Sequence, residues 1–215
     1  MKIYKNYIWD FDGTLYDSYP VLTYYAIEMF RHYNINASDK EIEDYLKVSF
    51  STLAKRFSLT EEQMNYVREL KANDEHFLDK VKPFKEIFEV LKKIHKAGGR
   101  NFLFTHSDKE HSVSLLERDG IDKLFDGYVT SDMHLKPKPS PDGINYICRT
   151  YDLDKSETVM VGDRMIDVNS GINANVDTIL FDSENRVKDK GYTFKITNLS
   201  SIAQPFDELK LSNTK

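Results

Sequence analysis

Asp10 and Asp12 stand two residues apart at the end of a short apolar run, in Ile8-Trp9-Asp10-Phe11-Asp12-Gly13-Thr14-Leu15. Acidic residues are depleted in strands, and two carboxylates at one strand end repel each other unless a cation lies between them. Further polar groups follow apolar runs in the same way. Thr105 and His106 come after Phe102-Leu103-Phe104, and Gly162-Asp163-Arg164-Met165-Ile166-Asp167 comes after Val159-Met160-Val161. A basic, proline-rich stretch, Lys136-Pro137-Lys138-Pro139-Ser140-Pro141-Asp142, precedes a helical pattern. Asp10, Asp12, Asp163 and Asp167 form an oxygen-only set, which suits a hard ion, and Mg²⁺ is usually held by one or two carboxylates together with substrate phosphate. Mg²⁺ with a lysine and Thr105 suits a phosphoryl group, whose oxygens must be neutralised in the transition state. A carboxylate can then act as the nucleophile and form an aspartyl phosphate. Each group has a plainer reading alone. Asp10 and Asp12 fit a turn, and Thr105 fits a helix-entry cap. Asp163 and Asp167, four apart, fit helix neighbours whose charges Arg164 offsets.

The elements around these groups read as alternating strands and helices. Tyr7-Ile8-Trp9, Phe102-Leu103-Phe104, Val159-Met160-Val161 and Thr178-Ile179-Leu180-Phe181 are predicted strands, with Tyr128-Val129 a short fifth. Between them, Phe84, Ile87, Phe88, Leu91 and Ile94 form one helical stripe. Ser107-Asp108-Lys109-Glu110 reads as a capping box opening a helix that carries Val113, Leu115 and Leu116. Apolar strands separated by helices imply a parallel sheet covered on both faces, and such sheets bind ligands at the carboxyl ends of their strands. The polar groups would therefore converge on one edge.

From about Tyr16 the alternation stops. Val21, Leu22, Tyr25, Ala26, Met29, Phe30 and Tyr33 repeat at helical spacing, as do Met64, Val67, Leu70, Phe77 and Leu78 in a charged stretch. The chain is thus expected to hold an α/β core at 1–15 and 82–215, with an all-helical insert at 16–81 that ends where Lys82 meets Pro83. Residues 210–215 are expected to fray.

With 215 residues, 40% hydrophobic and 30% charged, the chain can bury a sizeable core, and its formal net charge of -5 argues against a nucleic-acid partner. Its single cysteine, Cys148, makes no internal disulfide and fits a helix with Ile144, Ile147 and Tyr151. There is no apolar run of signal or membrane length, so a cytoplasmic protein without a membrane partner, monomer or homodimer, is expected.

Asp10-Phe11-Asp12-Gly13-Thr14, Thr105, Lys138 in Lys-Pro-Ser-Pro-Asp, and Gly162-Asp163 with Asp167 resemble the four ordered motifs of the haloacid dehalogenase superfamily, phosphatase and phosphoglycolate phosphatase-like members with a helical cap. The insert resembles that cap, and the core is expected to be a Rossmann-like three-layer α/β fold. The resemblance implies that Asp10 is the nucleophile and a Mg²⁺ ligand. Asp12 would give its backbone carbonyl to Mg²⁺ and its side chain as general acid, then base. Thr105 would bind a phosphoryl oxygen, Lys138 would pair with that group and with Asp10, Asp163 would bind Mg²⁺, and Asp167 would bind it directly or through water. Gly13 would let the backbone approach the phosphate. His106 would either touch the leaving group or stand solvated at a helix entry. Lys136 and Lys138 both precede proline. Lys138 is preferred, because Ser140-Pro141 reads as an N-cap and first helical position, two residues beyond it.

The implied activity is Mg²⁺-dependent hydrolysis of a small phosphorylated metabolite. A sugar phosphomutase of the same fold is the nearest rival, and a non-catalytic binding protein the third. A dehalogenase is disfavoured because it typically lacks the second aspartate. Family members often carry a glycine in the substrate-facing cap loop. Here Lys47-Val48-Ser49-Phe50-Ser51-Thr52 has none, which leaves Ser49, Thr52 and Arg56 as weak specificity candidates.

Overall fold

The computed structural model describes residues 2–205, which divide into two compact units, 2–15 with 83–205 and Tyr16–Lys82. Residues 210–215 lie outside the described residues.

The first unit is built on a six-stranded sheet. Its strands are β1 (Asn6–Trp9), β4 (Arg100–Phe104), β5 (Gly127–Val129), β6 (Thr158–Gly162), β7 (Asp177–Phe181) and β8 (Phe194–Ile196). Two-residue strands β2 (Tyr16–Asp17) and β3 (Lys82–Pro83) flank the insert in sequence. The spatial order is β5-β4-β1-β6-β7-β8, and every pairing is parallel. All four residues of β1 are buried, as the central strand of a two-sided sheet requires. Trp9 Nε1 donates to Asn101 Oδ1 at 3.0 Å, and Asn101 Nδ2 donates to Leu124 O, so the polar atoms of this buried pair are satisfied. From β1 the chain runs outward to β4 and β5, then returns to β6 on the other side. The carboxyl ends of β1, β4 and β6 therefore meet where the strand order reverses, the place where open α/β sheets bind ligands.

The helices of this unit are α6 (Ile87–Lys96), α7 (Lys109–Arg118), α8 (Asp142–Thr150) and α9 (Met165–Asn173). Cys148 is buried beside Ile144, Ile147, Phe104 and Met160 and packs as a small apolar residue. The expected stripe on α6 is corrected in two places. Phe84 precedes the helix, and Phe88 faces out, while Ile87, Val90, Leu91 and Ile94 are buried. The capping box expected at Ser107 is replaced by a cap at Asp108, whose Oδ1 accepts from His111 N at 2.7 Å. Both residue types cap well, so composition alone left the register open by one. Helix α8 likewise begins one residue later than expected, at Asp142, with Ser140 Oγ accepting from Asp142 N. Strand β8 was not expected. It is three residues long with a central Lys195, too short for a period-2 signal.

The second unit is helical: α1 (Tyr19–His32), α2 (Asp39–Val48), α3 (Phe50–Arg56), α4 (Glu61–Ala72) and α5 (Phe77–Lys80). Tyr25, Ala26, Met29 and Phe30 of α1 are buried, whereas only Val67 of α4 is, so that charged helix is mostly surface. Asp74 accepts from Tyr25 Oη and pairs with Lys80. Ser49 Oγ caps α3 by accepting from Thr52 N at 2.9 Å, and Arg56 pairs with Glu41 at 3.0 Å. These specificity candidates thus make hydrogen bonds within their own unit. No helix among the described residues is long and apolar enough to cross a membrane.

Candidate active site

Asp10 is the first residue past β1, and its backbone N still bonds Val161 O at 2.8 Å, which fixes its carboxylate between the ends of β1 and β6. Three residues on, Gly13 has φ +79°, a left-handed turn conformation that glycine adopts without strain. Thr105 follows β4 in the same way, its N bonding Val129 O. Asp163 follows β6, and Asp167 lies in the first turn of α9, where its Oδ2 accepts from Arg164 N at 3.1 Å. A carboxylate is favoured at that helix end by the exposed N–H groups and the dipole.

Asp10, Asp163 and Asp167 are all buried, and each offers a carboxylate oxygen within 4.8 Å of the others. Lys138 reaches into this group and is itself buried. Its Nζ lies 2.5 Å from Asp10 Oδ1 and 2.8 Å from Asp167 Oδ1, above the Phe104 ring. Phe104 in turn packs where a Cβ on Gly143 would stand 2.5 Å from its ring, so α8 approaches β4 through that glycine. Lys136 is exposed. Arg164, which the sequence suggested only as a structural offset, places Nη2 3.9 Å from Asp10 Oδ2 and Nε 3.7 Å from Asp163 Oδ1. Three buried carboxylates thus face two cations, leaving negative charge in excess.

That imbalance sets the protonation behaviour. Burial, seconded by Asp167, pushes the Asp10 carboxyl above the ordinary carboxylate range against the pull of Lys138 and Arg164. Burial also works against charged Asp167 and Lys138. There the ion pairs win, holding Asp167 below its ordinary range and Lys138 above its own. Asp10 Oδ2 is buried and accepts no hydrogen bond. A hard divalent cation supplies what such an atom needs, and the all-carboxylate donor set fits one.

The other expected site residues sit around this cluster. Asp12 Oδ2 accepts from Ser107 Oγ at 3.0 Å, a partner the sequence reading missed because it lies far away in sequence. Thr105 Oγ1 accepts from Ser107 N at 3.0 Å, which leaves the threonine proton free to donate. His106 keeps part of its ring in solvent, but its Nε2 accepts from Lys138 N at 2.9 Å. Partial burial, then Lys138 and Arg164, lower its pKa to about 4, so the ring is neutral at pH 7 with its proton on Nδ1. His106 is therefore tied to the lysine loop.

Gly162 explains how Asp167 turns back into the site. A Cβ there would stand 2.3 Å from Asp167 Cβ and 2.4 Å from its Cγ. Both atoms are close to the backbone and cannot swing away. Gly162→Ala is expected to shift the first turn of α9, lower stability by about 1–3 kcal/mol and weaken the binding of a divalent cation at the carboxylate group. Thermal melts with and without Mg²⁺ check both effects, and an unchanged melt would show that α9 yields freely.

Residues 7–181 match the family model of haloacid dehalogenase-like hydrolases. A phosphoglycolate phosphatase of Vibrio parahaemolyticus is 29% identical over 184 residues, covering 79% of this chain and 80% of that protein. The pyrophosphatase PpaX of Halalkalibacterium halodurans is 26% identical over 172 residues, covering 80% of each. A hydrolase from Streptococcus pneumoniae superposes with a TM-score of 0.66 at 29% identity, covering 94% of this chain and all of that one. With most of its length inside the family model and the sheet and strand-end acids described above, the chain belongs to the haloacid dehalogenase-like hydrolases.

Proposed function

We propose that this hydrolase is a Mg²⁺-dependent phosphatase that cleaves a small phosphorylated metabolite through an aspartyl phosphate on Asp10. The observation that carries the reading is the buried Asp10, Asp163 and Asp167 group with Lys138 Nζ on Asp10 Oδ1. Relatives named phosphoglycolate phosphatase and pyrophosphatase support the class of reaction.

Asp10, Asp163, Asp167 and the Asp12 carbonyl would hold the ion, which supplies Lewis-acid neutralisation of phosphoryl oxygens when bound. Lys138 keeps Asp10 oriented and adds positive charge beside the incoming dianion. The Thr105 hydroxyl, whose oxygen already accepts from Ser107 N, donates its proton to a phosphoryl oxygen. The turn at Gly13 lets the backbone approach the same group. His106 Nδ1–H is the imidazole donor left for substrate, since Nε2 is occupied. Asp12 gives a proton to the leaving oxygen, then takes one from the water that hydrolyses the aspartyl phosphate. The helical unit, residues Tyr16–Lys82, is read as the cap that selects the ester.

The test is phosphate release, with Mg²⁺, from a panel holding phosphoglycolate, pyrophosphate, sugar phosphates and nucleoside monophosphates, with Asp10→Asn as blank. Strong turnover of one compound names the substrate, and weak turnover of many indicates a broad-range enzyme. EDTA should silence the reaction and Mg²⁺ restore it; full activity in EDTA removes the metal from the account. No turnover of any compound by folded protein would shift the assignment to a phosphomutase, retested with a sugar bisphosphate.

A further inference from the structure

Ser107 is held from three sides at the end of β4. Its N donates to Thr105 Oγ1 at 3.0 Å, its carbonyl accepts from Ser131 N at 3.1 Å, and its Oγ donates to Asp12 Oδ2 at 3.0 Å. The hydroxyl is available because Asp108, one residue later, caps α7. Among the described residues this is the hydrogen bond that the Asp12 side chain makes. One carboxylate oxygen of Asp12 is therefore engaged by a fixed donor, and the other is not.

We infer that Ser107 is a positioning residue for proton transfer, holding Asp12 by Oδ2 so that Oδ1 faces the reacting oxygens. The inference rests on the reading of Asp12 as acid and base given above. An Asp10 carboxylate oxygen bonds phosphorus as the ester P–O bond breaks. The bonding pair passes to the ester oxygen, which takes the proton from Asp12 Oδ1. Asp12 is then a carboxylate, and the Ser107 hydrogen bond to Oδ2 steadies it. In the second half Asp12 Oδ1 removes a proton from water as the water oxygen bonds phosphorus. The P–O bond to Asp10 breaks, inorganic phosphate leaves, and the Asp10 carboxylate is restored. Through its backbone N the same serine orients the Thr105 hydroxyl, so one residue sets the direction of two donors.

The Mg²⁺-loaded full chain, as wild type, Ser107→Ala, Ser107→Thr and Asp12→Ala, should be compared on two esters. 4-Nitrophenyl phosphate releases a phenolate that needs little protonation, whereas phenyl phosphate releases a strongly basic one. Ser107→Ala is expected to lose about 10- to 100-fold in kcat/KM on phenyl phosphate, as for a lost hydrogen bond to a charged group. The loss on the nitrophenyl ester should stay under about threefold, because proton donation contributes little there. Ser107→Thr should restore most of the deficit. Equal losses on both esters, or none on phenyl phosphate, overturn the inference. Equal losses for Asp12→Ala overturn instead the assignment of Asp12 as acid. A wild type inert toward both esters overturns the phosphatase reading beneath it. Should Ser107→Ala not fold, Ser107→Cys decides by the same comparison, since a thiol keeps the volume and donates weakly.

Discussion

Asp10→Asn should leave a folded protein whose turnover of any phosphate ester is down by about 10⁴- to 10⁶-fold, the scale seen when a nucleophilic centre loses a member. The amide removes the attacking oxygen anion. Its carbonyl can still accept from Lys138 Nζ, which also keeps Asp167 as a partner. It also removes one negative charge from a cluster with an excess of them, so the metal-free protein should melt no lower than wild type. Burial raises the folded Asp10 carboxyl above its unfolded value. The stability that this group contributes is therefore full below the ordinary carboxylate range and lost as pH rises toward neutrality. The variant should lack that portion of the pH slope. Mg²⁺ should stabilise wild type, by about 2.7 kcal/mol at a hundredfold excess over its Kd, and the variant far less. Circular dichroism melts across pH with and without Mg²⁺, beside phosphate-release assays, check each part. Near-wild-type turnover would remove Asp10 from the centre of the mechanism.

Lys138→Met should cost both fold and function. It leaves Asp10 and Asp167 buried with Arg164 as the remaining nearby cation, and taking one partner from a buried ion pair costs about 3–5 kcal/mol. Both carboxyls would then be pushed up by burial and mutual repulsion. Groups so raised favour the folded state below their unfolded pKa and lose that contribution as pH rises, so the deficit should be largest above neutrality and shrink toward pH 5. Mg²⁺ should restore part of the stability, because it replaces the missing charge, but not the activity. Lys138→Arg is not a rescue, since a planar guanidinium does not fit the fully buried slot over the Phe104 ring. A deficit independent of pH would show that Lys138 acts by packing alone.

The strands around this site were legible because the middle of a strand buried on both faces is a continuous apolar run, as in Tyr7-Ile8-Trp9, Val159-Met160-Val161 and Ile179-Leu180-Phe181. The acids were legible because they break those runs abruptly. What stayed hidden was long-range or one residue out of register. Ser107 and Asp108 are both good caps, and only coordinates show that the aspartate caps α7 while the serine turns to Asp12. The link from His106 Nε2 to Lys138 N is a side-chain bond to another loop's backbone, which no local pattern encodes. Arg164 could be counted as a charge from the sequence but not aimed at Asp10. Phe88 matched its stripe by spacing and still faces water, because periodicity fixes a face only to within the width of the stripe.

The position of β1 along the chain carries a cost in time. This strand is central, and its Ile8 and Trp9 lie opposite Phe102 and Leu103 on one side and Met160 and Val161 on the other. During synthesis it emerges well before either neighbour. At about 5–20 residues per second, β6 follows roughly 8–30 s later. The intervening helices rely on local contacts and can form in that interval, whereas the parallel sheet depends on distant pairings and is slow to assemble. Phe84 N bonds Leu15 O at 2.9 Å, so the two ends of the helical segment lie together and a long loop must be closed to form this contact. A nascent chain stalled before residue 158 would therefore present the apolar Tyr7-Ile8-Trp9 edge without its partner strand, the state in which a chaperone would find it.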